Sequence, residues 1–290
     1  MSADPSARTS SNGARSNGAG PAGEGRTLRL GGMALRNGLL IHGPTSWAVA
    51  VRAPDGTIEV GSGPKPIFAR GRLGSVPLLR GPLRLAEALA VIPLVRLSVG
   101  AARLPLEDRS VVAAAIASTA ASGALRRVWP PTVGREAAVA VLGALPAVTA
   151  LRDRDLAAYH GVEHKAIGGY ESGTDPTEVP KEHQRCGSNL IAPMLALSII
   201  GQVAAERLAR KPGPVTRALA AAGGVGIAVE LFAFAERNPD SVVGRAVHGP
   251  GHEIQRRFST REPTAEQLEV GVAALSEVLR AEGQAADPPD

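Results

Sequence analysis

The stretch Cys186–Ala205, CGSNLIAPMLALSIIGQVAA, runs for twenty residues without a charged side chain. A helix rises about 1.5 Å per residue, so about twenty apolar residues cross the ~30 Å hydrocarbon layer of a bilayer. A buried soluble helix has the same composition, but usually over a shorter run. Three further runs share the pattern: Val111–Leu125, Ala137–Leu151 with Pro146 inside it, and Ala218–Ala235 interrupted only by Glu230. Together they predict a mostly α protein, a polytopic helical membrane bundle of about four hydrophobic helices. Arg84–Arg103 is also apolar, but Pro93 and Arg96 break it, which suits an interfacial or buried helix better than a clean span.

Composition narrows the function classes. Charged residues are 20% of the chain and aromatics only 3%; the net charge of +5 comes from scattered arginines. Nucleic-acid binding needs basic residues gathered into a stripe with stacking aromatics, so no nucleic-acid partner is expected and the bilayer is the expected one. A single cysteine excludes an intrachain disulfide. No phosphate-binding glycine loop, dinucleotide fingerprint or serine-nucleophile elbow occurs.

Outward from the runs, residues 1–27 lack large apolar side chains and are expected to be a disordered tail, without the apolar core of a secretory signal. Residues 28–75 predict a small β-rich module. Ser46–Arg52 alternates, Pro54-Asp55-Gly56 marks a turn and Thr57–Val60 alternates again, a β-hairpin; Gly31-Gly32 and His42-Gly43-Pro44 mark tight backbone before it. The bundle is expected over 76–235 and a C-terminal segment over 236–281. There Thr264 and Gln267 form a capping box, and Leu268, Val272, Leu275 and Leu279 line one face of an amphipathic helix to about Ala281. Residues 282–290 are expected to be a tail. The basic residues Arg152, Arg154, Lys165, Lys181 and Arg185 put the 152–185 loop and both termini on the cytoplasmic side.

The chemistry concentrates in that loop. His160-Gly161-Val162-Glu163-His164 places two histidines four residues apart, which on a helix stacks their rings on one face, and sets a glutamate beside the second. This is the inverted zinc-peptidase pattern, in which two histidines bind a divalent ion, zinc above all, and Glu163 activates water as the catalytic residue. A third ligand is required, and Glu171, His183 and Cys186 are the candidates. Singly, each residue has a plainer reading: a helix-capping histidine, a solvated Glu163–Lys165 pair, a small apolar cysteine. Glu230, an ionisable group in an apolar run, is a separate candidate as ligand or proton carrier, or as the partner of a nearby arginine. His248 and His252 have ligand spacing, but Pro250 between two glycines predicts that they are not on a helix.

The residues Gly31–Ala34, Asn37-Gly38 and Ala48–Arg52, then Tyr159–Lys165, Tyr170-Glu171 and His183–Ser188, and finally Ser259–Pro263 with Gln267–Val270, resemble the bacterial family known as domain of unknown function 1385. Coverage runs from about Leu28 to Leu279. Val162, Gln184 and Ser188 depart from the family pattern, where alanine, proline and threonine are usual, and none removes a candidate ligand. The resemblance implies a polytopic membrane protein of a family whose members are described as predicted metal-dependent membrane enzymes. Three readings follow from the residues: a metal-dependent hydrolase with its site at the cytoplasmic face, a non-catalytic membrane scaffold with a structural ion, or a transporter using Glu230.

Overall fold

Each of the four uncharged runs folds as one helix long and apolar enough to cross a membrane: α2 (Arg109–Val128), α3 (Val133–Ala150), α5 (Ile191–Leu208, extended at its start by a 3-10 turn over Gly187–Leu190) and α6 (Pro214–Arg237). The computed structural model describes residues 27–68, 71–209 and 212–284; of the expected tails, 1–27 and 282–290, residues 1–26 and 285–290 lie outside them. The four helices keep their apolar side chains largely on the outside, with Ile116, Val141, Val148, Ile200 and Leu219 all more than half exposed. Such faces are stable against lipid rather than water, and the architecture is consistent with a membrane protein.

One end of the bundle is closed by charge. Arg126 of α2 reaches Glu136 of α3 at 2.8 Å; Arg135 bonds Glu136 at 2.8 Å and Glu206 of α5 at 2.6 Å; Arg217 of α6 lies 2.9 Å from Glu206. All four spans contribute, and Arg135 and Glu136 are buried. The connections 126–136 and 206–217 therefore meet at the same end, and α4 (Arg154–Ser172) and the chemistry-bearing loop lie at the other.

The N-terminal module has more strands than the single hairpin expected. Strands β1 (Gly31–Leu35), β2 (Gly38–His42), β3 (Ser46–Arg52) and β4 (Ile58–Pro64) form an antiparallel meander in sequence order. The added pair turns at Arg36-Asn37, where the Asn37 amide donates to the carbonyls of Arg52 and Ala101, both at 2.9 Å. Alternate side chains serve opposite faces. Leu39, Ile41, Ala48 and Ala50 pack on Tyr159, Val162, Val270 and Ala274 from α4 (Arg154–Ser172) and α8 (Ala265–Ala281). Leu40, Val49 and Val51 pack on Val91 and Val95 of α1 (Arg80–Ser98). Two helices of the 76–235 segment, α1 and α4, thus belong to the sheet's core as much as to the bundle.

The capping box of α8 is present, with the Thr264 and Gln267 side chains each bonding the other's backbone N–H. Beyond it Glu282, expected to open the tail, accepts from the Thr45 and Ser46 amides at 2.8 and 2.7 Å, and the Tyr170 hydroxyl donates to Gln284 at 2.9 Å. The break expected at Pro250 does not occur: α7 (Val242–Ile254) is continuous through it. A mid-helix proline loses one hydrogen bond, but α7 packs on α6 and on the 187–190 turn, and that tertiary contact overrides local preference.

Removing Arg135 leaves Glu136 only its bond to Arg126 and Glu206 only its bond to Arg217, so Arg135→Ala should destabilise the bundle by about 1–3 kcal/mol. Unfolding in mixed micelles measures this; the exposed Arg109→Ala serves as the neutral comparison.

Candidate metal centre

α4 carries both histidines of the loop motif. Asp153 caps its start, accepting from the Asp155 and Leu156 amides, and Gly173, in the left-handed region at φ 68°, ends it. The intended four-residue stacking is present: the His160 and His164 rings lie 4.5 Å apart, edge on. Gly161 between them carries no Cβ because one would sit 2.2 Å from the Arg261 carbonyl. That close approach, held by the Arg261 amide on the Ala157 carbonyl at 2.9 Å, lays the segment after α7 along α4.

Each ring is then fixed by a backbone carbonyl. His160 Nδ1 is 2.7 Å from the Ser259 carbonyl, and His164 Nδ1 is 2.5 Å from that of Lys181. A carbonyl only accepts, so both Nδ1 atoms carry the proton and both Nε2 atoms present a lone pair, that of His160 accepting from the Cys186 thiol. His160 Nε2 faces the Cys186 sulfur at 3.3 Å, while buried His164 Nε2 has no hydrogen-bond partner among the described residues. His160, His164 and Cys186 each offer a ligand atom within 4.8 Å of the others. Donors of one tetrahedral zinc lie about 3.5 Å apart, given bonds of roughly 2.0–2.3 Å, so modest side-chain rotation closes the set. An imidazole whose outer nitrogen is bonded to a carbonyl is the usual support of a metal ligand.

Cys186 reaches this position as the cap of the Gly187–Leu190 turn, its sulfur accepting from the Ser188 amide at 3.5 Å. The loop before it is held by Gln255, fully buried. The Gln255 carbonyl oxygen accepts from the His183 amide at 2.7 Å, and its amide donates to the His183 carbonyl at 3.2 Å and the Ser188 hydroxyl at 2.8 Å. Gln255 opens a π-helical turn over Gln255–Ser259, the same turn that presents the Ser259 carbonyl. No sequence signal marked Gln255; a lone glutamine among charged residues has no periodicity to betray it.

Burial governs the protonation states. It lowers His164 to about 3, with the His160 charge adding to the effect and the Lys181 carbonyl opposing it, so this ring is neutral at physiological pH. Burial, then the nearby Glu163 charge, raises the Cys186 thiol to about 11. Glu163 is likewise pushed up by loss of water, against the charge of His160 and a hydrogen bond from the Gly32 backbone. Gly32 is where a Cβ would fall 2.6 Å from Glu163 Cγ, which explains part of the tight Gly31-Gly32 backbone read from the sequence.

Glu163 stands between two cavities. The inner one, about 180 Å³, is shared with His164, His183, Cys186 and His42. His42 closes β2; burial, then Lys65, lowers it to about 4, and the sequence reading took its neighbourhood only for a turn. The other cavity, about 380 Å³, also reaches His160 and Cys186. Lys165 does not pair with Glu163: it is buried, bonded to the Thr177 and Val179 carbonyls, and 2.7 Å from Glu262.

The other candidates lie elsewhere. Glu171 is paired with Arg185, and His183 Nε2 lies 3.3 Å from Glu171, so both belong to a wider cleft of about 720 Å³ beside the cluster; the His183 ring is 5.7 Å from that of His164. His248, edge-on to Phe232 at 5.8 Å, lines the same cleft, and His252 is exposed. Glu230 is held by Arg80 at the start of α1, whose Nε lies 2.7 Å away, and pins that helix to α6.

The class this defines is a bundle of four membrane-length helices with a sheet-backed His/His/Cys cluster beside a half-buried glutamate. Residues 139–281, from within α3 to the end of α8, match the model of the family described as protein of unknown function (DUF1385), which supports that family for this part of the chain. No curated protein and no solved structure matches.

Two outcomes follow. Metal binding must expel the Cys186 proton, so zinc affinity should rise about tenfold per pH unit between roughly pH 6 and 8; competition against a chelator at each pH measures it. Gln255→Leu frees the Cys186 loop and should weaken zinc about 10–100-fold with the helical circular dichroism unchanged.

Proposed function

We propose that the protein is a membrane-embedded, metal-dependent hydrolase. The observation that carries this reading is the pair of carbonyl-locked histidines whose Nε2 lone pairs converge with Cys186, next to a glutamate that takes no part in that convergence. His160, His164 and Cys186 would hold the ion, with zinc best suited to two imidazoles and a thiolate. When bound, such an ion polarises a substrate carbonyl or phosphoryl oxygen and acidifies water.

The remaining steps belong to the chain. Glu163, with its basicity raised by burial, takes a proton from the attacking water and returns it to the leaving group. Gly32 holds that carboxylate through its backbone, and the two flanking cavities leave room for substrate. Three protein ligands rather than four favour an open, catalytic position over a closed structural site. Glu230, neutralised by Arg80, is left a structural role, which removes the main support for a transporter. The basic residues of 152–185 support a site at the cytoplasmic face by the positive-inside tendency.

In the test, Glu163→Gln keeps about one equivalent of zinc, while hydrolysis of a panel of ester, amide and phosphodiester substrates falls about 10²–10⁴-fold from wild type. His160→Ala/His164→Ala loses both metal and hydrolysis. Full activity in Glu163→Gln contradicts the reading, as does wild-type protein without bound metal after reconstitution.

A further inference from the structure

The 380 Å³ cavity has an unusual position. Its inner end is His160, Glu163 and Cys186; its outer walls are Ala147, Ala150 and Leu151 at the end of α3 and Ile191 at the start of α5. Those helix ends belong to two membrane-length helices, and the large side chains bordering them face outward: Leu145 is 40% exposed, Val148 53% and Ile191 39%. The lining is mostly aliphatic and continuous with the surface the spans present to lipid. At the metal cluster it turns polar.

Resting on the hydrolase reading above, we propose that the substrate is an amphiphilic lipid whose alkyl chain lies between the ends of α3 and α5 while its polar, scissile end reaches Glu163. A helical peptide does not fit: at about 10 Å diameter, 380 Å³ is less than one full turn. An extended peptide would need backbone hydrogen-bond partners along its length; only the short Gly32–Ala34 edge of β1 offers backbone in this lining, the Gly32 N–H is already on Glu163, and the α3 and α5 walls bond their backbone internally. An alkyl chain needs only apolar contact and a route from the bilayer, and the cavity lies against the ends of α3 and α5.

The experiment uses full-length protein in nanodiscs with cobalt in place of zinc, so that ligand binding is read from the visible absorption of the metal rather than from turnover. Alkyl hydroxamates of increasing chain length, from acetohydroxamate to dodecanohydroxamate, are titrated against wild type, Ala147→Trp, which blocks the cleft, and Ala150→Val as a milder variant. Partition into the bilayer is common to all three proteins, so the difference between them is the signal. In wild type, affinity referred to the free aqueous ligand rises about fourfold per methylene until the chain fills the cleft. In Ala147→Trp that rise disappears, and in Ala150→Val it shrinks, while the unchanged cobalt spectrum shows the site itself intact.

Equal slopes in wild type and Ala147→Trp overturn the lipid proposal and leave the metal reading standing. So does a leucyl-glycine hydroxamate that outcompetes the dodecyl compound in both proteins, which would make the substrate a peptide. Absence of any cobalt spectrum in wild type overturns the metal reading and this proposal with it.

Discussion

Two hydrogen bonds from imidazole Nδ1 atoms to backbone carbonyls organise everything else at the site. They set the tautomers of His160 and His164, aim both Nε2 atoms at one point, and use carbonyls from segments distant in sequence. Ser259 is 99 residues from His160, and Lys181 is 17 from His164. The fold must therefore bring a π-helical turn, a loop and the middle of α4 together, and the tight spots of the structure serve that end. Gly161 lets the Arg261 backbone press against α4, and Gln255 holds the loop carrying Cys186 from the other side.

The sheet and the bundle divide the work. The β-meander, with α1 on one face and α4 and α8 on the other, forms a packed core that backs α4 and supplies Gly32 and His42 to the inner cavity. The bundle brings Cys186 in at the head of α5 and is tied at its far end by the Arg126–Glu136–Arg135–Glu206–Arg217 network. Buried ion pairs of this kind contribute little net stability against apolar packing, but losing one partner is costly, which makes them markers of helix register. The candidate centre thus sits where the membrane-length helices end and the sheet-backed core begins.

Much of this was legible in the sequence. Uncharged runs of fifteen to twenty residues marked all four membrane-length helices, because lipid-facing helices need no alternation with polar residues. Four-residue histidine spacing marked the stacked rings, since it depends only on helix geometry. The choice among third ligands was not legible: Glu171 at the end of α4 and His183 and Cys186 in the loop after it lie close in sequence, and only tertiary contacts, Arg185 on Glu171 and Gln255 on the His183 backbone, separate them. Gln255, Ser259 and Lys181 act through backbone or amide groups that any alignment of side-chain chemistries passes over. Pro250 misled for the complementary reason, a local rule overridden by packing.

The central claim is that His160, His164 and Cys186 share one ion, and X-ray absorption at the zinc edge of the loaded protein tests it most directly. The account predicts two nitrogen scatterers at about 2.0 Å and one sulfur at about 2.3 Å, with the sulfur lost in Cys186→Ser. A shell of oxygen and nitrogen alone in wild type, or a sulfur contribution that survives Cys186→Ser, would contradict it.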